Sequence, residues 1–148
     1  MAEQRIVKLL ERLVETCRDG QQGYLEAAEH ISDSDLRSFF NNESLERARY
    51  ASELEGELQR LGEPAGNETG SIAGAVHRGW LDVSAAISGD EGVLSAIESG
   101  EDTAKKLYEE ALREPLPEVV EGTVRSQAQA VIAAHDHVKL LRDRRRAA

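Results

Sequence analysis

The last long segment of the chain, Pro117 to Arg146, reads PEVVEGTVRSQAQAVIAAHDHVKLLRDRRR and decides how the other segments are interpreted. At about 100° per residue, its apolar side chains form one stripe along a helix. The stripe consists of Val120, Val124, Val131, Val138 and Leu141. Gln127 lies on this stripe and His135 on its shoulder. The pattern predicts a bundle helix that carries two polar side chains toward the core.

Composition limits the size, the partners and the compartment of the protein. Its 148 residues suit one domain, 1–148, that closes a core without disulfides or metals. The formal net charge of −10 would repel nucleic acid and anionic membranes, so we expect neither as a partner of this acidic protein. The chain has no apolar run of about 18 residues, the length of a membrane span. A single cysteine, Cys17, and an N-terminus without an apolar signal core predict a cytoplasmic protein.

The rest of the chain contains three more long segments with helical periodicity and one shorter segment. In the long segments, apolar residues recur with alternating steps of four and three. The expected helices cover about 4–31, 35–61, 71–87, 90–113 and 117–145. We find no strand-like alternation of useful length in the sequence, so the predicted fold class is all-α.

The shorter segment decides the connectivity. At 1.5 Å per residue, a helix over 71–87 would be about 26 Å long, enough to carry the chain back along the bundle. The second and third long helices would then be parallel, as in the single-crossover topology of ferritin-like four-helix bundles. In the alternative arrangement, the same segment packs as a fifth wall.

Residue counts from the helix ends place several polar side chains at one height in such a bundle. They are Tyr24, Glu43, Glu101 and His135, with Arg47 one turn deeper in the same predicted polar layer and Gln127 below it. These groups must satisfy one another, because an unpaired buried charge is costly. One interpretation is a structural layer in which Arg47 bridges Glu43 and Glu101 and fixes the helix register. The other is a metal or reactive site, because carboxylates and imidazoles from different helices bind metals in bundle cores.

Four stretches of the sequence resemble an uncharacterised bacterial family. They are CRDGQQGY (17–24), GSIAGAVHRGW (70–80), SGED with the following AKKLYEEAL (99–112), and QAQAVIAAHDHVKLLRD (127–143). The family is a domain of unknown function, described as a four-helix bundle and grouped with the ferritin-like superfamily. The resemblance covers nearly the whole chain. It implies the fold and, by analogy with related ferritin-like families, a role in stress physiology, but it implies no established activity.

The superfamily also implies a metal site to test against this sequence. Ferritin-like di-iron sites take one Glu from each of two helices and a Glu-x-x-His from each of the other two. The first helix offers Cys17 and Tyr24 in place of an acid, and Ile132 stands three residues before His135. What survives is a reduced iron or manganese set of Glu43, Glu46, Glu101 and His135. A full di-iron oxidase is therefore not expected.

These observations leave two main hypotheses for the function. The first is a non-enzymatic cytoplasmic bundle without a cofactor, which forms a homo-oligomer or binds a protein partner. The alternative is a metal-binding redox protein that uses the reduced ligand set with iron or manganese. A third, weaker hypothesis concerns the basic C-terminal arm, which either complements the dipole of its own helix or docks onto an acidic partner. Its cations are Arg142, Arg144, Arg145 and Arg146.

Overall fold

A computed structural model describes residues 2–63 and 89–147 of the chain. Within these residues there are four α-helices, numbered in chain order: α1 (Ala2–His30), α2 (Ser34–Arg60), α3 (Asp90–Leu112) and α4 (Glu118–Ala147). None of these four helices is both long and apolar enough to cross a membrane. The expected helix at 71–87, and with it the choice between a crossover and a fifth wall, lies outside the described residues.

The turn between α1 and α2 is closed by the side chain of Asp33. Its Oδ1 accepts hydrogen bonds from the backbone N–H groups of Asp35, at 2.9 Å, and Leu36, at 3.0 Å. A helix start leaves such N–H groups without a backbone partner, so Asp33 acts as the N-cap of α2. The acidic turn sequence therefore stops one helix and starts the next.

The end of α2 is set by Gly62. Its φ of +91° lies in the left-handed region, which glycine adopts without the steric cost that a Cβ would add. The N–H of Gly62 donates to the carbonyl of Gln59 at 2.9 Å, and the N–H of Glu63 donates to the carbonyl of Leu58 at 3.0 Å. This pair of bonds is a Schellman motif, which satisfies the last carbonyls of α2 and turns the chain away.

Contacts made by side chains, one of them to a backbone carbonyl, give the directions of the helices. Within the described residues, α1 is antiparallel to both α2 and α3, so α2 and α3 are parallel to each other. This is the arrangement that the single-crossover topology predicts. The contacts that establish it are Ser44–Gln21 and Arg18–Glu55 between α1 and α2, and Arg5–Glu114 and Tyr24–Glu101 between α1 and the α3 side.

Within the described residues, the apolar core forms two clusters stacked along the bundle. One lies toward the N-terminus of α1 and includes Leu10, Leu54, Tyr108 and Val124. The other lies toward the α1–α2 turn and includes Ile31, Phe40, Ile97 and Val138. On α2 and α3 the boundary between the clusters falls at Arg47 and Glu101, which are both buried. The polar side chains therefore occupy the middle of the bundle and not one of its ends.

The end of the bundle at the α1–α2 turn is held by charged side chains. Arg145 of α4 lies 3.2 Å from Oδ2 of Asp90 and 3.7 Å from Oδ2 of Asp33. Asp90 also accepts hydrogen bonds from the backbone N–H and the hydroxyl of Ser32, at 3.0 and 2.5 Å. Arg142 pairs with Glu98 of α3 at 2.8 Å. Two cations of the basic arm thus contact acids of the same chain, which weakens the hypothesis that this arm docks onto an acidic partner.

Replacing Arg145 should loosen this end of the bundle. We expect Arg145→Ala to lower the free energy of unfolding by about 1 kcal/mol, because it removes two partly exposed ion pairs. Urea denaturation at low salt measures the loss, which should shrink at high salt. Arg144→Ala, at an exposed position next to it, is the matched control. Equal stability of the two variants would contradict the assignment.

Candidate functional site

The centre of the bundle is an ion pair between α2 and α3. Nη2 of Arg47 donates to Oε2 of Glu101 at 2.7 Å and lies 2.7 Å from Oε1 as well. The side chains are 1% and 0% exposed, so the two charges are almost completely removed from water. Burial of a lone charge would be strongly unfavourable, and each group therefore depends on the other.

Two more side chains complete this group. The hydroxyl of Tyr24 donates to Oε2 of Glu101 at 2.8 Å, and the guanidinium of Arg47 lies 5.5 Å from the centre of the Tyr24 ring. Burial and the nearby Glu101 carboxylate raise the pKa of Tyr24, which keeps the phenol protonated as a donor. Glu43 lies 3.8 Å from Arg47 and is less buried. Burial raises the pKa of Glu43 despite the nearby guanidinium.

A second hydrogen-bonded group crosses the bundle one level away. Tyr108 of α3 donates to Oε1 of Gln127 at 2.7 Å, and its hydroxyl lies 3.1 Å from the Sγ of Cys17. The amide of Gln127 donates to Oε1 of Glu53 at 2.9 Å and to the carbonyl of Tyr50 at 3.2 Å. Burial raises the pKa of Cys17 to about 11, so its thiol is protonated at neutral pH and is not a nucleophile.

His135 lies between two carboxylates at the edge of the α3–α4 contact. Its Nε2 is 2.5 Å from Oδ1 of Asp102, and its Nδ1 is 3.1 Å from Oδ1 of Asp136. Carboxylates only accept hydrogen bonds, and only the imidazolium can donate from both nitrogens. Burial by itself lowers the pKa of His135, but the hydrogen bonds to Asp136 and Asp102 outweigh it and raise the pKa above 6.5.

The structure divides the six residues expected in the polar layer among three places. Tyr24, Glu43, Arg47 and Glu101 form the group around the ion pair. Gln127 belongs to the group that contains Tyr108, and the imidazole of His135 contacts aspartates at the rim of the bundle. The expectation that Gln127 and His135 bond to the ion-pair layer therefore needs correction. His135 is at the expected height, but α4 turns its side chain outward along α3.

The reduced metal set does not fit this arrangement. The Arg47 guanidinium occupies the space beside Glu101 where a cation would bind. Glu46 faces away and pairs with Arg49 at 2.5 Å, and His135 contacts the rim aspartates. Among the residues that the structure describes, no group of three or more His, Cys, Asp or Glu side chains could hold a metal ion. The set Glu43, Glu46, Glu101 and His135 therefore does not converge on one point.

Asp102, Tyr108 and Glu53 take part in these groups without having been expected there. Asp102 is exposed and follows Glu101 directly, so no hydrophobic periodicity marks it. Tyr108 lies on the shoulder of the α3 stripe, and a buried tyrosine hydroxyl needs a polar partner. This requirement is the feature of the sequence that could have predicted the hydrogen bond between Tyr108 and Gln127.

Comparison with known proteins identifies the family and the fold. Residues 5–114 match the model of a domain of unknown function (DUF2383), and the chain belongs to that family. Among solved structures, a mutant of Dps1 from Mycobacterium smegmatis matches with a TM-score of 0.78 and 15% identity, over 94% of this chain and 95% of that chain. At this identity the likeness concerns the fold alone. No curated protein matches the chain. The predicted all-α, ferritin-like four-helix bundle is confirmed.

Neutralising Glu101 should destabilise the bundle strongly. We expect Glu101→Gln to lower the free energy of unfolding by about 3 to 5 kcal/mol, because it removes the buried counter-charge of Arg47 and leaves only the more distant, less buried Glu43. Adding Arg47→Met in the same chain should recover most of the loss, since no buried charge then remains. Urea denaturation of both variants tests this. Glu46→Gln, at a more exposed acid of α2, is the control, and an equal effect in it would contradict the prediction.

The imidazolium of His135 should make stability depend on pH. Its pKa is higher in the folded chain than the 6.5 of the free side chain. Its contribution to stability is therefore fully present below pH 6.5 and is lost as the pH rises through the folded pKa. We expect unfolding in urea to become easier across that window in the native chain. The loss should be smaller in His135→Gln, and parallel pH profiles of the two proteins would refute the assignment.

Proposed function

We propose that this protein is a non-enzymatic helical-bundle protein that acts by associating with protein surfaces, either its own or a partner's. The observation that carries the proposal is the position of the Arg47 guanidinium against Glu101. In a bundle of this type, the centre is where carboxylates from different helices would hold a metal. Here a fixed cation of the chain itself compensates the central carboxylate.

The chemistry of the other buried groups supports the same proposal. A catalytic nucleophile or general base needs a pKa near the working pH and access to a substrate. The pKa of Cys17 is raised to about 11, and burial raises the pKa values of Tyr24 and Tyr108 as well. These side chains are buried and donate to, or lie beside, polar groups of the bundle. They are suited to fixing helix register and not to proton transfer at neutral pH.

The surface supports association in a different way. Several large apolar side chains are exposed along the helices. They are Leu25, Leu45, Val119 and Leu140, with exposed fractions of 43%, 71%, 66% and 45%. Single exposed apolar residues are common in monomers. These four are therefore compatible with association but do not identify the surface that associates. The cytoplasmic location and the role in stress physiology belong to this proposal, and the cysteine content and the family resemblance support them.

The proposal can be tested on the full chain purified without chelators. We expect substoichiometric iron and manganese by elemental analysis and concentration-dependent self-association by sedimentation equilibrium. Iron or manganese at one or more atoms per chain, lost in Glu43→Ala or His135→Ala, would overturn it in favour of the metal-binding alternative. A chain that stays monomeric at every concentration would disprove the self-association part of the proposal.

A further inference from the structure

A stripe of charged residues runs along α1 outside the core. Its members follow one another at alternating steps of three and four residues, so they share one face of the helix. They are Arg5, Lys8, Arg12, Glu15, Asp19, Gln22 and Glu26. The first three are cations with exposed side chains, and the acids that follow are half-buried. The stripe is therefore positive toward the N-terminus of α1 and negative toward its C-terminal half.

Two adjoining clefts accompany this stripe on the side of α3. One has a volume of about 540 Å³ and is lined by Arg5, Lys8, Leu9, Arg12 and Glu114, among others. The next has a volume of about 270 Å³ and includes Glu15, Asp19 and Leu107. Arg12 lines both clefts, so they form one furrow. Partly buried leucines in this furrow offer apolar surface beside the charges.

A second copy of this stripe, laid antiparallel to the first, presents opposite charges to it. A two-fold axis between Arg12 and Glu15 would place a second α1 antiparallel to the first, since two-fold contacts join identical patches. Each Arg12 would then face Glu15 of the other copy, and each Lys8 would face Asp19. Arg5 would meet the uncharged Gln22. At 1.5 Å per residue, this contact from Arg5 to Gln22 would be about 26 Å long.

We propose that the α1 stripe and its furrow form a self-association surface that binds a second copy of the chain in an antiparallel, two-fold arrangement. This inference rests on the proposed function and specifies its surface. A polyanion would be attracted to the basic half of the stripe but repelled by the acidic half and by the net charge of −10. A second copy matches both halves. Because the cations are exposed and the acids are only half-buried, salt screens these charge pairs and the association weakens as salt rises.

Charge reversal at the centre of the stripe tests the arrangement. We expect R12E and E15R each to weaken self-association by at least about tenfold at low ionic strength, measured by sedimentation equilibrium. Each single variant places like charges opposite each other. The two variants change the net charge in opposite directions, so an effect of net charge alone would strengthen association in E15R. Weakening in both variants supports a paired contact.

Mixing the two single variants gives the decisive measurement. In a heterodimer of R12E with E15R, opposite charges face each other again at both central positions. We therefore expect the mixture to associate more strongly than either variant alone, and the double variant R12E/E15R to associate like the native chain. No recovery in either sample would overturn the proposed arrangement.

A matched control keeps this outcome separate from that of the proposed function. R125E makes the same charge change on α4, at a side chain that is 54% exposed, and should leave association unchanged. Circular dichroism of each variant checks that its helices are intact, and K8E replaces R12E if that variant unfolds. A native chain that associates regardless of these reversals disproves this surface but keeps the proposed function. A native chain that stays monomeric disproves this surface and leaves the proposed function only as association with a partner protein.

Discussion

The structure depends on one requirement: the buried charge of Arg47 must meet that of Glu101. The two residues come from parallel helices that no short loop joins, so their contact specifies how α2 and α3 lie relative to each other. Sliding either helix by one turn would move a charge into an apolar cluster and leave its partner unpaired. Buried ion pairs add little net stability, and we interpret this one as a device for specificity. The positions of Tyr24 and Glu43 follow from this ion pair. The buried carboxylate of Glu101 and the guanidinium of Arg47 need further polar partners, and Tyr24 and Glu43 lie beside them.

The sequence predicted most of the fold because helical periodicity is a local signal. Apolar residues such as Leu10, Leu54, Ile97 and Val138 repeat at spacings that only a helix brings to one face, and they are buried. The height of a residue along the bundle could also be predicted, because each residue adds a fixed rise to its helix. This count places Glu101 and His135 at one level and Arg47 one turn deeper in the same layer. At the edge of a stripe, periodicity does not decide whether a side chain points into the core or along its rim. His135 lies at such an edge, and its orientation toward the rim was therefore not predicted.

The absence of a convergent metal set within the described residues has a similar physical basis. Carboxylates near the centre of a bundle are not sufficient for a metal site, because their lone pairs must remain available to the ion. In this chain the guanidinium of Arg47 takes the lone pairs of Glu101, and Arg49 takes those of Glu46. This chain therefore combines the bundle architecture with an internal ion pair at its centre. Fold and chemistry are separate properties here.

The division of the core into two apolar clusters affects how the bundle can open. A continuous core transmits a local disturbance along its whole length, whereas a hydrophilic plane between two clusters interrupts the apolar contacts. Among the described residues, the cluster at the α1–α2 turn is the smaller of the two, and ion pairs at its outer end stabilise it. Amide hydrogen exchange would then occur in two cooperative units, with the turn end opening before the other.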